Sequence, residues 1–198
     1  MQIERSINGI KTLGPGNRFV IWVNGCNRRC KGCVSERLQK FEPRNEQNLT
    51  EYLSQFNFSS TDGITISGGE PFEQIDELLK AIRFFQEMDK DDILIYTGYT
   101  IEELQQKNDE RINEIISSIA VLIDGPYIEE LNNDIGNLKG SENQRVLILN
   151  EKYRKAYQDY YCDSREMQEI RVGPYHISVG IPTKKYINEF NSNINGGC

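Results

Sequence analysis

Three of the chain's five cysteines stand in one short run, Cys26-Asn27-Arg28-Arg29-Cys30-Lys31-Gly32-Cys33. Thiols gathered this tightly can hold a metal centre, yet they stop one ligand short of closing it. A structural zinc site takes four ligands, usually in two pairs well separated in sequence. Here there is no second pair: Cys162 and Cys198 lie far downstream, and His176 is the only histidine. A 4Fe–4S cluster also normally takes four thiolates. Three would leave one iron with an open position, and open positions are where metals bind substrates and cofactors. Two readings follow. Either Cys162 or Cys198 closes the site, giving a non-enzymatic iron–sulfur or zinc module, or the fourth position is kept for a ligand.

The cysteines must be delivered by something rigid. Arg18-Phe19-Val20-Ile21-Trp22-Val23 is β-branched and aromatic, which predicts a buried strand leading into the cysteine loop. Gly63-Ile64-Thr65-Ile66-Ser67 predicts a second strand, ending at Gly68-Gly69-Glu70-Pro71. Ile93-Leu94-Ile95-Tyr96 predicts a third, stopping at Thr97-Gly98, and Val121-Leu122-Ile123 a fourth, ending at Asp124-Gly125-Pro126. Residues 145–149 read as a fifth.

Helical patterns fall between them. One is short, near 49–56. A second, over 72–88, carries Ile75, Leu78, Leu79, Ile82 and Phe85 at steps of three and four, an amphipathic face for a sheet. A third begins at Thr100, with Glu103 completing a capping-box pattern, and helix continues through Ile112, Ile115, Ile116 and Ile119. Strands alternating with helices predict an α/β fold with parallel strands, either an open sheet or a partial barrel. Ligands collect at the carboxyl ends of such strands, where the cysteines and all three Gly-containing turns fall.

These residues carry a resemblance. Cys26-x-x-x-Cys30-x-x-Cys33 resembles the cluster motif of radical S-adenosylmethionine enzymes, and Gly68-Gly69-Glu70-Pro71 resembles the second motif of that family. Leu13-Gly14-Pro15-Gly16-Asn17-Arg18, Tyr96-Thr97-Gly98-Tyr99-Thr100, Asp124-Gly125-Pro126-Tyr127 and Gly140-Ser141-x-Asn143-Gln144-Arg145 are similar to stretches of the glycyl-radical activating enzymes, specifically the activators of anaerobic ribonucleotide reductase. The similarity spans about residues 13–149.

The resemblance implies a partial (β/α) barrel of the radical S-adenosylmethionine type over residues 1–150. The unmatched residues 151–198 read as an extension packed on the core, with a mobile tail at 195–198. The resemblance also implies a 4Fe–4S cluster on Cys26, Cys30 and Cys33. S-adenosylmethionine would chelate the open iron and be cleaved reductively to a 5'-deoxyadenosyl radical, which takes hydrogen from a glycine of the partner enzyme. It places the cofactor against Ser67, Gly68, Gly69, Glu70 and Pro71, and near Thr97 and Asp124, sometimes with a monovalent cation. Two glycines suit close approach of backbone to a ligand, Pro71 fixes the turn, and Glu70 can hold the turn or an ammonium group. No catalytic side chain is implied. A flavodoxin-like protein or another one-electron donor is the expected reductant.

One segment departs from the pattern. Activators of this type commonly follow the third cysteine with asparagine and then tryptophan, whereas here Val34-Ser35-Glu36 leads on to Phe41. The alternative substrate is therefore a peptide or small molecule.

With 23 Lys and Arg against 30 Asp and Glu, the net charge of -7 repels phosphate backbones, so nucleic acid is not an expected partner. The N-terminal residues lack an apolar signal core and no run has the length of a membrane span, which predicts a cytoplasmic chain with no membrane contact. Tyr153, Tyr157, Tyr160 and Tyr161 read as packing. Residues 170–181 read as a hairpin around Gly173-Pro174, His176 as structural, Cys162 as a small buried hydrophobe, and Arg28, Arg29 and Lys31 as a solvated rim or a means of tuning the cluster.

Overall fold

The computed structural model describes residues 1–162 and 164–195. Phe19, Val20, Ile21 and Val23 are fully buried in β2 (Arg18–Val23), as a continuous apolar run should be when both faces of its sheet are covered. Residues 63–66 of β3 (Gly63–Gly68), 93–95 of β4 (Ile93–Tyr96) and all of β5 (Val121–Asp124) are buried as well, while the last residues of β3 and β4 are half-buried. These four strands pair in parallel, with Trp22 opposite Ser67, Ile66 opposite Ile95 and Tyr96 opposite Ile123.

The six-stranded sheet runs in sequence order, with β1 (Ile3–Ile10) and β6 (Arg145–Ile148) antiparallel at its edges. It is an open sheet. Parallel pairing fails at β6 because the segment from Asp124 to Arg145 contains no α-helix to carry the chain back. β1 has no strong alternation to betray it. Its polar residues suit a half-buried edge, and its pairing slips twice, between Ile3 and Arg5 and between Ile7 and Ile10.

α1 (Leu49–Leu53) is shorter than its pattern suggests, and α2 (Ile75–Gln86) follows a 3-10 turn at Pro71–Glu73. α3 (Ile101–Gln106) starts with the complete reciprocal Thr100–Glu103 capping box, and α4 (Glu110–Ser118) follows. Leu78, Ile82 and Phe85 of α2, with Ile112 and Ile115 of α4, pack with Phe19, Ile21, Ile64, Ile66 and Ile95 of the sheet.

The other face holds Val20, Leu94, Val121 and Ile123, covered in part by Tyr157 and Val179. Tyr157 belongs to α5 (Arg154–Tyr160). Val179 belongs to the antiparallel hairpin of β7 (Met167–Val172) and β8 (Tyr175–Gly180), which turns at Gly173-Pro174. Gln168 ties the hairpin to the first strand, donating to the Gly9 carbonyl at 2.8 Å and accepting from Lys11 N–H at 2.8 Å.

A buried ion pair pins the far end of the sheet. Arg18 is fully buried and Asp92 accepts from its Nη1 at 2.9 Å, while Tyr157 Oη donates to the other Asp92 oxygen at 2.7 Å. Arg18 also donates to Thr65 Oγ1 at 2.6 Å and to the carbonyls of Pro15 and Ile64 at 3.1 and 2.6 Å. A charge this deep persists only because its donors are met.

One sequence expectation is corrected in the C-terminal quarter. Cys162 is exposed, because it lies beyond the end of α5 where its thiol reaches Ser164 O at 3.2 Å. His176 is also exposed, paired with Arg171 across the hairpin near its tip. Asn195 ends α6 (Lys184–Asn195), while the rest of the predicted tail, 196–198, lies outside the described residues. Among the described residues no helix is long and apolar enough to cross a membrane.

Candidate functional site

Parallel neighbours end side by side, so the turns after β2, β3, β4 and β5 lie along one edge of the sheet, and backbone bonds join them. Gly69 N–H donates to Val23 O and Glu70 N–H to Gly25 O, both at 2.7 Å. Thr97 N–H reaches Ile123 O, and Gly125 N–H reaches Tyr99 O, both at 2.9 Å. The approach after β2 is so close that a Cβ on Gly69 would overlap the Gly25 carbonyl oxygen. Gly68, at φ +109°, holds a left-handed conformation that side chains resist, with Val23 backbone against it.

Glu70 is fully buried at the centre of this edge. Its carboxylate accepts from Gly98 N–H at 2.7 Å, Thr97 Oγ1 at 2.8 Å and Phe72 N–H at 3.0 Å. Burial pushes its pKa up to about 7, against the pull of these donors, which favour the charged form. The side chain thus staples the turn after β3 to the turn after β4. Ser67, the residue before the glycines, is half-buried.

The cysteine loop leaves this edge and returns to it. Gly25 N–H donates to Leu38 O at 2.8 Å and Cys26 N–H to Gln39 O at 3.0 Å, so the segment that departs from the family pattern folds back as the loop's floor. Cys26, Cys30 and Cys33 are half-buried free thiols. Burial raises the pKa of the Cys26 thiol, opposed by the backbone N–H groups of Arg28 and Arg29. Burial raises Cys33 likewise, opposed by the Ser35 N–H and the Gln39 side chain.

This donor set fits a 4Fe–4S cluster. Hydrogen bonds to ligand sulfurs and partial burial are what tune such clusters. Among the described residues no three His, Cys, Asp or Glu side chains converge on one metal ion, which a cluster spreading its ligands over several irons does not require. Cys162 does not join the three; its thiol is engaged with Ser164.

The turn after β5 is closed from the far strand. Asp124, fully buried, accepts from Ile101 N–H at 2.8 Å and from Arg145 Nε at 2.9 Å, with a second bond from Arg145 Nη2. Asn143 Nδ2 and Gln144 Nε2 hold the Pro126 and Gly125 carbonyls at 2.7 and 3.0 Å. The paired carboxylates of Asp124 and Glu102 raise the Arg145 pKa further above its ordinary value.

Four residues escaped sequence reasoning as parts of the site: Glu73, Tyr99, Glu103 and Arg145. Asn27 Nδ2 donates to Glu73 Oε2 at 3.0 Å, and Tyr99 Oη donates to the other oxygen at 2.8 Å. Arg28 pairs with Glu103 at 3.2 Å, while Lys31 is exposed and reaches Glu129 and Glu130 at 3.2 and 3.4 Å. For Glu73 and Glu103 the signal is an acid following each strand-end turn, opposite a loop rich in bases.

A family model described as 4Fe-4S single cluster domain matches residues 12–147. The anaerobic ribonucleoside-triphosphate reductase-activating protein of Enterobacteria phage T4 is 33% identical over 144 residues, covering 67% of this chain and 85% of its own. The protein of that name from Haemophilus influenzae is 31% identical over 142 residues, covering 67% and 88%. The one from Escherichia coli K12 is 29% identical over 141 residues, covering 67% and 89%.

Proposed function

Because the chain belongs to the 4Fe-4S single cluster domain family, and matches curated members named as reductase activators over 67% of its length, we propose that it is a radical S-adenosylmethionine activating enzyme for an anaerobic ribonucleotide reductase. The observation that carries the proposal is the junction of the three-cysteine loop with the Gly68-Gly69-Glu70-Pro71 turn through the Glu70 N–H bond to Gly25 O at 2.7 Å. It sets the two motifs of the resemblance side by side.

Cys26, Cys30 and Cys33 would hold a 4Fe–4S cluster, three thiolates where four would close it. When bound, the cluster supplies the single electron that cleaves S-adenosylmethionine, so that hydrogen can be taken from a glycine of the partner. The chain's own residues bind, orient and exclude. Ser67, Gly68 and Gly69 offer backbone at close range to the methionine end of the cofactor. Glu70 and Pro71 fix that backbone, with Thr97 holding Glu70 in place.

Asp124 acts through Arg145 and the start of α3, since both its oxygens already accept hydrogen bonds. Positive charge beside Asp124 is thus supplied by a guanidinium, and a monovalent cation there is an addition the chemistry does not need. The open sheet is read as the partial barrel of this enzyme class. Residues 1–150 carry the cofactors, and beyond them α5 and the β7–β8 hairpin cover the second face of the sheet through Tyr157 and Val179. The reductant is a flavodoxin-like or other one-electron donor, and the chain works in the cytoplasm.

Anaerobic reconstitution with iron and sulfide, then S-adenosylmethionine and a strong reductant, tests the proposal. It predicts 5'-deoxyadenosine, and a glycyl radical signal when a candidate reductase is added. A well-loaded protein that yields no 5'-deoxyadenosine would sink it.

A further inference from the structure

Arg28 stands between the first two cysteines and is the one basic residue of the loop that turns inward. Its side chain is 23% exposed, against 80% for Lys31. Its stem lies over the turn after β4, where a Cβ on Gly98 would come 3.1 Å from Arg28 Cγ. Its guanidinium carbon is 4.8 Å from the centre of the Tyr99 ring, and Nη1 is 3.2 Å from Glu103 Oε1. Its own backbone N–H is one of the donors to Cys26 sulfur.

Its neighbours close a ring. Asn27 holds Glu73, Glu73 accepts from Tyr99 Oη, and Tyr99 receives the Arg28 cation. Asn27 and Arg28 are adjacent, so the ring takes in the turns after β2, β3 and β4. The anchor of the turn after β4 is the same Gly98 whose N–H holds Glu70. A guanidinium stacked on an aromatic face and paired to a carboxylate is a partly desolvated contact with directional demand.

We infer that Arg28 is a positioning residue: its side chain clamps the cysteine loop onto the Gly98–Tyr99 turn, fixes the N–H donors at Cys26, and keeps one positive charge beside the cluster. Glu103 supports the clamp, oriented by its capping-box bond to Thr100 N–H at 2.7 Å. The clamp rests on the cluster assignment above for its role in the reaction, but its geometry exists in the chain without the cluster.

The test has two stages. In the metal-free protein, Arg28→Ala should raise the alkylation rate of the loop thiols about tenfold, the weight of one cation–π contact and one ion pair. Tyr99→Leu should do much the same. Tyr99→Leu also frees Glu73 and Lys107, and Arg28→Ala also frees Glu103, so the double variant should fall short of the product of the two single effects by the Arg28–Tyr99 contact they share. In the reconstituted protein Arg28→Ala should shift the cluster's midpoint potential downward, and Arg28→Lys, which keeps the charge, should restore it.

Unchanged alkylation in Arg28→Ala, additive effects in the double variant, or an unchanged potential would each overturn the inference. Failure of the function itself looks different: the wild-type protein would load a cluster and make no 5'-deoxyadenosine, whatever the clamp variants show.

Discussion

Glu70 and Thr97 are joined at 2.8 Å across two strand-end turns, and Glu70 has no exposed surface. A carboxyl buried there is a source of pH-dependent stability. Its pKa is about 7 in the fold against an ordinary value of 4.5. Below pH 4.5 the group is protonated in both folded and unfolded chains. As pH rises to about 7 the unfolded chain ionises first, so the stability that Glu70 contributes at acid pH is lost through this window, and the loss is complete above it. The slope amounts to about 3 kcal/mol in total. Urea denaturation from pH 4.5 to 8 should show that decline in the wild type and a flatter profile in Glu70→Gln. Equal slopes in the two proteins would contradict it.

Gly69→Ala should damage the site more than the fold. The new methyl would meet the Gly25 carbonyl oxygen that accepts from Glu70 N–H, so the cysteine loop must shift away from the turn. Overpacking of this kind costs about 1–3 kcal/mol, and iron content after reconstitution should drop sharply. Gly173→Ala is the control. It is strained by a φ of +59° but has nothing within 4 Å, so it should lose some stability and load iron normally. Equal loading in both variants would show that the close approach does not matter.

The four parallel strands were legible because each is a short apolar run closed by a turn residue, a signal that needs no tertiary information. The cysteine loop and the Gly68-Gly69-Glu70-Pro71 turn were legible for the same reason: their chemistry is local. β1 was not, since an edge strand carries polar residues on its open side and is specified by pairing with β2. The antiparallel return of β6 depends on a missing helix. The ring of Asn27, Glu73, Tyr99 and Arg28 joins residues far apart in sequence, and only the packed sheet brings them together. Cys162 was misread because a lone cysteine usually buries itself, whereas here the end of α5 leaves it outside.

The Arg18–Asp92–Tyr157 cluster predicts how firmly the C-terminal quarter is attached. Removing the cation while keeping the stem, as in Arg18→Met, leaves Asp92 nearly buried without its partner and should cost about 3–5 kcal/mol. Tyr157→Phe removes one hydrogen bond to the same carboxylate and should cost about 1–2 kcal/mol. Chemical denaturation measures both. A single transition that shifts in both variants means that α5 unfolds with the sheet, whereas an early separate transition in Tyr157→Phe means that the C-terminal quarter comes away alone.

The cysteines divide into two sets, and substitution should separate them. Cys26, Cys30 and Cys33 share one anchored loop with N–H donors at Cys26 and Cys33, so under the proposed function Ala at any one of them removes one of three cluster thiolates. Cluster absorbance should collapse in each, together with 5'-deoxyadenosine formation. Cys162 is exposed with its thiol on Ser164, so Cys162→Ala should retain full iron content and activity. Cys198→Ala and the Cys162→Ala, Cys198→Ala double variant extend the comparison to every cysteine in the chain. Loss of iron in the double variant would mean a closed four-thiolate site. Such a site has no vacant iron, and the chain would then be an electron-transfer or structural module instead of an activating enzyme.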